Sequence, residues 1–147
     1  GSIKQEKSKY NNVKTAFKIA GDGIGRRAFE FLAENTDIEW GLLQTGNDSK
    51  SANFIFTSCL KYEVSDVPDL IIGCYIRAYI HSHPEDPSPS FADIKNMENY
   101  QKYNIDIRWN NSAPYAPMRN YGIDEYPYCA IYCKGKYYPF SPQQNLF

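Results

Sequence analysis

Long apolar runs, surplus charge and scattered histidines are all missing from this chain. The longest apolar stretch, Leu70-Ile71-Ile72-Gly73-Cys74-Tyr75-Ile76, stops at Arg77, far short of the roughly 20 residues that span a bilayer, so no membrane role is expected. A formal net charge of -1 leaves no basic excess to hold a polyanion, which argues against nucleic acid as the partner. Cysteine is sparse as well. Cys59, Cys74 and Cys129 lie in apolar, strand-like runs, and Cys129-x3-Cys133 lacks the second pair that a zinc ribbon would need, so all four cysteines are read as reduced and structural. Apolar residues at 42% and charged residues at 22% suit a folded globule with a sizeable core.

The pair Gly1-Ser2 reads as a cloning scar, and residues 1–20 as a flexible N-terminal segment, with 1–12 frayed. A single domain is expected over residues 21–147. Gly21-Asp22-Gly23-Ile24-Gly25 reads as a turn or the start of a helix. It superficially suggests a phosphate loop, but no strand precedes it and no Lys-Ser/Thr follows. From Gly25 to Asn35 the spacing predicts an amphipathic helix with Ala28, Phe29, Leu32 and Ala33 on one face. Strands are expected over Ile38–Thr45, Asn53–Leu60 and Leu70–His81, with a turn at 46–49. A loop from Pro84 to Pro89 leads to a helix over Ser90–Tyr103. Residues 110–126, rich in Asn, Pro and Tyr, have no periodicity and read as a long irregular segment. A hairpin turning at Lys134-Gly135 closes the chain. The sum is an α+β fold, a mixed sheet flanked by helices.

Both histidines fall in His81-Ser82-His83-Pro84, with Ser90 and Asp93 just downstream. Residues two apart on a strand share a face, so both imidazoles can enter one pocket. Asp93, in the first turn of the next helix, can face back toward them. Two imidazoles and a carboxylate are the ligand set of a catalytic zinc site that keeps one position for water. Ser90-x-x-Asp93 is also an ordinary helix-capping signature; it is its union with His-x-His that points to a metal. A zinc-activated water needs a general base. Glu39 is a charged residue on an otherwise apolar strand, where it is costly unless used. Alternation puts Glu39, Gly41 and Leu43 on one face and Trp40 and Leu42 on the other, and Gly41 beside Glu39 is expected to leave room for a substrate backbone or a metal pocket. Glu85 and Asp86 are candidate substrate contacts. Tyr115, Tyr121, Tyr126 and Tyr128 could line a partner surface or simply pack.

With Glu39 upstream, His81-Ser82-His83-Pro84…Ser90-x-x-Asp93 resembles the signature of the JAMM metallopeptidases, the catalytic branch of the MPN (JAB) fold, whose layering is like that of cytidine deaminases. The resemblance implies that His81, His83 and Asp93 hold Zn2+, that Glu39 is the catalytic base, and that Ser90 donates to the oxyanion. It implies hydrolysis of a peptide or isopeptide amide. The loop before Ser90 has six residues where members commonly have seven, and Glu39 stands two before Gly41 where many have three. A narrower likeness comes from Phe29-Glu30-Phe31-Leu32-Ala33-Glu34-Asn35-Thr36-Asp37-Ile38-Glu39-Trp40-Gly41. This stretch is similar to the start of the JAB-like toxin domains at the C-termini of bacterial RHS-type polymorphic toxins. That implies an exported toxin tip acting on a protein or peptide, with a cognate immunity protein as partner. The competing readings are an MPN-like module kept for protein binding and a hydrolase of cell-wall peptides.

Overall fold

The structure, a computed structural model, describes residues 3–6, 15–46, 52–57, 76–109 and 127–140. Helix α1 (Asp22–Asn35) starts from Gly21, whose positive φ of 90° is open to glycine at no cost. Its first turn carries Asp22, favourable at the positive end of a helix dipole. At its other end side chains fold back onto the last turn: Asn35 Nδ2 donates to the Phe31 carbonyl at 2.8 Å, and Thr36 Oγ1 to that of Leu32, one of the terminal carbonyls, at 2.7 Å. The predicted helix is therefore present, begun three residues earlier at the glycine-rich turn.

Among the described residues seven strands form one sheet: β1 (Ile3–Glu6), β2 (Thr15–Ile19), β3 (Gly41–Thr45), β4 (Ala52–Thr57), β5 (Ile76–Ser82), β6 (Tyr128–Cys133) and β7 (Lys136–Pro139). The order across it is β1-β2-β4-β3-β5-β6-β7. Among the described strands only β5 and β6 run parallel, and helix α2 (Phe91–Trp109) lies between them in the chain. The α+β expectation, a mixed sheet with helices, is what the structure has. The β6–β7 hairpin turns where expected, with Lys134 and Gly135 both at positive φ (50° and 83°), the pairing that matches strand twist.

Four expectations need correction. Strands β1 and β2 lie within the span read as flexible, and Ile3–Glu6 pairs with Thr15–Ile19's strand instead of fraying. Strand β3 begins at Gly41, not Ile38, because residues 38–40 are held by other contacts described below. Helix α2 starts at Phe91 and runs past Tyr103 to Trp109. Strand β5 extends one residue beyond His81. The turn at 47–49, residues 58–60 and 70–75 of the expected strands, the irregular segment 110–126, and Cys59 and Cys74 lie outside the described residues.

Each face of the sheet buries its own core. On one, Phe29 of α1 is fully buried among Ile19, Trp40, Leu42, Ile55 and Ile80, with Ala28, Leu32 and Ala33 packed alongside, as the sequence spacing predicts. On the other, Met97 and Tyr100 of α2 pack on Leu43, Phe56, Ile76, Tyr79 and Ile131. The predicted alternation of β3 therefore holds, Leu42 facing α1 and Leu43 facing α2. Cys129 and Cys133 are buried free thiols, and burial pushes the Cys129 thiol up to about 12, which keeps it unreactive.

Candidate metal centre

The site is built by strand register. Strands β3 and β5 pair antiparallel with Gly41 opposite His81. Continuing that register two residues beyond the ladder sets Glu39 opposite His83. Residue Ser82 secures the extension: its amide donates to the Trp40 carbonyl at 2.8 Å, and its Oγ accepts the Trp40 amide at 2.8 Å. Thr57 Oγ1 adds a hydrogen bond to the Glu39 carbonyl at 2.6 Å. These contacts hold residues 39 and 40 beside β5 without a regular ladder. The space expected beside Gly41 is not there, since a Cβ at that position would clash with the Phe56 ring. Glycine is required at 41 for core packing.

Asp93 arrives from the opposite side. Ser90 caps α2: its Oγ accepts the Asp93 amide at 3.1 Å, while Asp93 Oδ2 accepts the Ser90 amide at 2.8 Å. This reciprocal capping box fixes the first turn and orients the carboxylate. The capping role weighed for Ser90 and Asp93 is present, and the same cap aims the Asp93 carboxylate at the two histidines.

Glu39, His81 and Asp93 are all buried, and His83 is half-buried. Asp93 spans both imidazoles, with Oδ1 2.6 Å from His81 Nδ1 and Oδ2 3.1 Å from His83 Nε2. Glu39 Oε1 stands 3.3 Å from the same His83 nitrogen. One ligand atom from each of Glu39, His81 and His83 lies within 4.8 Å of the others. Burial opposes the charge on Asp93. Hydrogen bonds from His81 and His83, the attraction of His81 and the Ser90 amide outweigh it, so the carboxyl lies far below its usual range and is ionised at any working pH. Burial likewise disfavours charge on His83, but the hydrogen bond and charge of Asp93, the charge of Glu39 and the Asp86 carbonyl together raise its pKa.

Two features suit this cluster to a divalent ion. His83 Nδ1 faces the Asp86 carbonyl at 3.0 Å, so it carries the ring proton there. Nε2 is left between two carboxylates, where it must either take a second proton or share a cation with them. Second, in a neutral His81 the Asp93 carboxylate against Nδ1 makes that the protonated nitrogen, and Nε2 is buried with no hydrogen-bond partner among the described residues, free to meet a cation. The donor set, imidazole plus carboxylate, suits a divalent transition metal, and the 3.1 Å between His83 Nε2 and Asp93 Oδ2 is a spacing that two ligands of one such ion can adopt.

A cleft of about 410 Å³ opens on this cluster, lined by Glu39, His83, Glu85, Asp86, Ser88 and Ser90. A second, of about 480 Å³, lies across the His83-Pro84-Glu85 wall, between Glu34 and Asp37 on one side and Tyr132 and Lys134 on the other. Glu85 and Asp86, read from the sequence as candidate substrate contacts, are among the residues that line the first cleft. Tyr128 packs instead against Arg26, whose guanidinium lies 5.5 Å from its ring centre. Tyr115, Tyr121 and Tyr126 lie outside the described residues. Sequence reasoning missed Ser82 and Tyr79 as partners of the site. The alternation of β5 could have placed Tyr79 on the face of His81.

The sequence family described as JAB-like toxin 1 matches residues 17–105, which include all five predicted site residues. No curated protein and no solved structure matches the chain.

Proposed function

The chain belongs to the JAB-like toxin 1 family, the match covering more than half its length, and from that footing we propose that it is a zinc-dependent hydrolase of peptide or isopeptide amides, the toxin tip of a larger secreted bacterial protein. The observation that carries the proposal is His83 Nε2 set between the Glu39 and Asp93 carboxylates while Nδ1 is committed to the Asp86 carbonyl.

In this reading His81, His83 and Asp93 hold the ion. Zinc, when bound, supplies an acidified water and polarises the amide carbonyl. Glu39, buried and fixed through its own backbone, takes a proton from the attacking water and delivers it to the leaving amine. Ser90 accepts the Asp93 amide and keeps its own hydroxyl proton to donate to the developing oxyanion from the cleft wall. The two clefts flanking His83-Pro84-Glu85 offer room for polypeptide on both sides of the scissile bond. As a toxin tip the domain would be restrained by a cognate immunity protein.

The test is Glu39→Gln, assayed on a mixed peptide library and on lysine isopeptide conjugates. Hydrolysis should fall by a factor of about 10² to 10⁴, the usual worth of a general base, while zinc per chain is unchanged. Undiminished hydrolysis in that variant would remove Glu39 from the mechanism.

A further inference from the structure

His81 is held from two sides. Asp93 meets Nδ1 at 2.6 Å, and Tyr79 Oη approaches the same nitrogen at 3.3 Å. Tyr79 is fully buried two residues earlier on β5, and its ring packs against the His81 ring at 4.5 Å between centres, tilted 70°. Its hydroxyl is in turn anchored by α2: Asn96 Nδ2 donates to Tyr79 Oη at 3.2 Å. Tyr100 closes the stack, its ring 5.0 Å from that of Tyr79. Tyr79, Asn96 and Tyr100 lie outside the ligand and base set above.

An imidazole turned over by 180° would present a C–H to Oη and to Asp93 and bury a nitrogen elsewhere. We propose that Tyr79 is a positioning residue, its hydroxyl, steadied by Asn96, fixing the face and tautomer of His81 so that the buried Nε2 lone pair is offered for metal binding. The chain of contacts is Asn96 Nδ2–H to Tyr79 Oη, and His81 Nδ1–H shared between Oη and Asp93. The second acceptor has a purpose. When the Asp93 carboxylate is drawn to a cation, Oη still receives the Nδ1 proton. Partners of this kind around a metal-binding imidazole typically change metal affinity by about 10- to 100-fold. The inference rests on the reading of this cluster as a metal centre, but its first readout does not.

Tyr79→Phe removes Oη and keeps the ring, so the core packing is retained. In metal-free protein, ring 15N signals of His81 should report a proton on Nδ1 in the wild type and change in Tyr79→Phe. Zinc affinity, measured by competition with a chelator, should fall by about 10- to 100-fold in Tyr79→Phe, with melting temperature little altered. Asn96→Ala should shift both readouts in the same direction by less. A wild-type His81 protonated on Nε2, or His81 signals identical in wild type and Tyr79→Phe, overturns the inference whatever the enzyme does. Unchanged zinc affinity in Tyr79→Phe also overturns it. Failure of the wild type to bind zinc would instead sink the hydrolase reading, and the His81 signals would still decide the role of Tyr79.

Discussion

The proposed mechanism gives Ser90 two roles at a single oxygen. Its Oγ caps α2 through the Asp93 amide, and the residue lines the same cleft as Glu39. Replacing it by alanine separates the roles by size. Loss of an N-cap costs about 1 kcal/mol of stability. Loss of an oxyanion donor costs about 10² to 10³ in kcat. Ser90→Ala should therefore show a modest fall in melting temperature with a large fall in kcat and little change in KM. A kcat that fell only in step with stability would leave Ser90 as a cap alone. Most of the site was legible at this scale, because ligand chemistry is a property of residue type and spacing: two histidines two apart, a capping Asp and a charge on an apolar strand. The error at Gly41 has the same origin in reverse. Sequence shows the missing side chain but not the Phe56 ring across the strand that takes its place.

Among the elements, β5 and α2 decide the site, since they bring His81 and Asp93 together. Asn104 ties them near the far end of the strand. Its amide donates to the Ile76 carbonyl at 2.7 Å, and its oxygen accepts the Ile76 amide at 3.0 Å, so a fully buried side chain acts as a strand neighbour. In Asn104→Leu two buried backbone groups lose these partners, at about 1–3 kcal/mol each before relaxation. The expected result is a loss of about 2–4 kcal/mol in denaturant unfolding, with the metal centre intact in the folded fraction. A loss below half a kcal/mol would mean that α2 is held by its apolar face alone. Elements with a strong local signal, namely α1, the β6–β7 turn and the alternation of β3, were readable in the sequence. Strands β1 and β2 were not, because Lys4, Gln5, Glu6 and Lys18 hide any apolar rhythm and only pairing along the sheet edge reveals them.

For the whole molecule, the proposed metal centre would couple folding to pH and to metal in opposite directions. The neighbouring carboxylates raise the pKa of His83 in the folded protein above its ordinary 6.5. A raised folded-state pKa gives stability that is fully present below 6.5 and lost as pH rises through the raised value. Chelator-treated protein should thus melt at lower temperature as pH climbs from mildly acidic to mildly alkaline. Zinc competes with protons for the same nitrogen lone pairs, so its stabilising effect should grow over the same range. Thermal melts with and without chelator would display diverging curves; parallel curves would show that His83 titration and metal binding are not linked.

The most direct measurement is metal content, by mass spectrometry of elements, of the purified protein and of His81→Ala and His83→Ala. The account predicts one zinc per chain in the wild type and little or none in either variant, with both still folded. A wild type that takes up no zinc when it is supplied, or variants that retain a full equivalent, would contradict it.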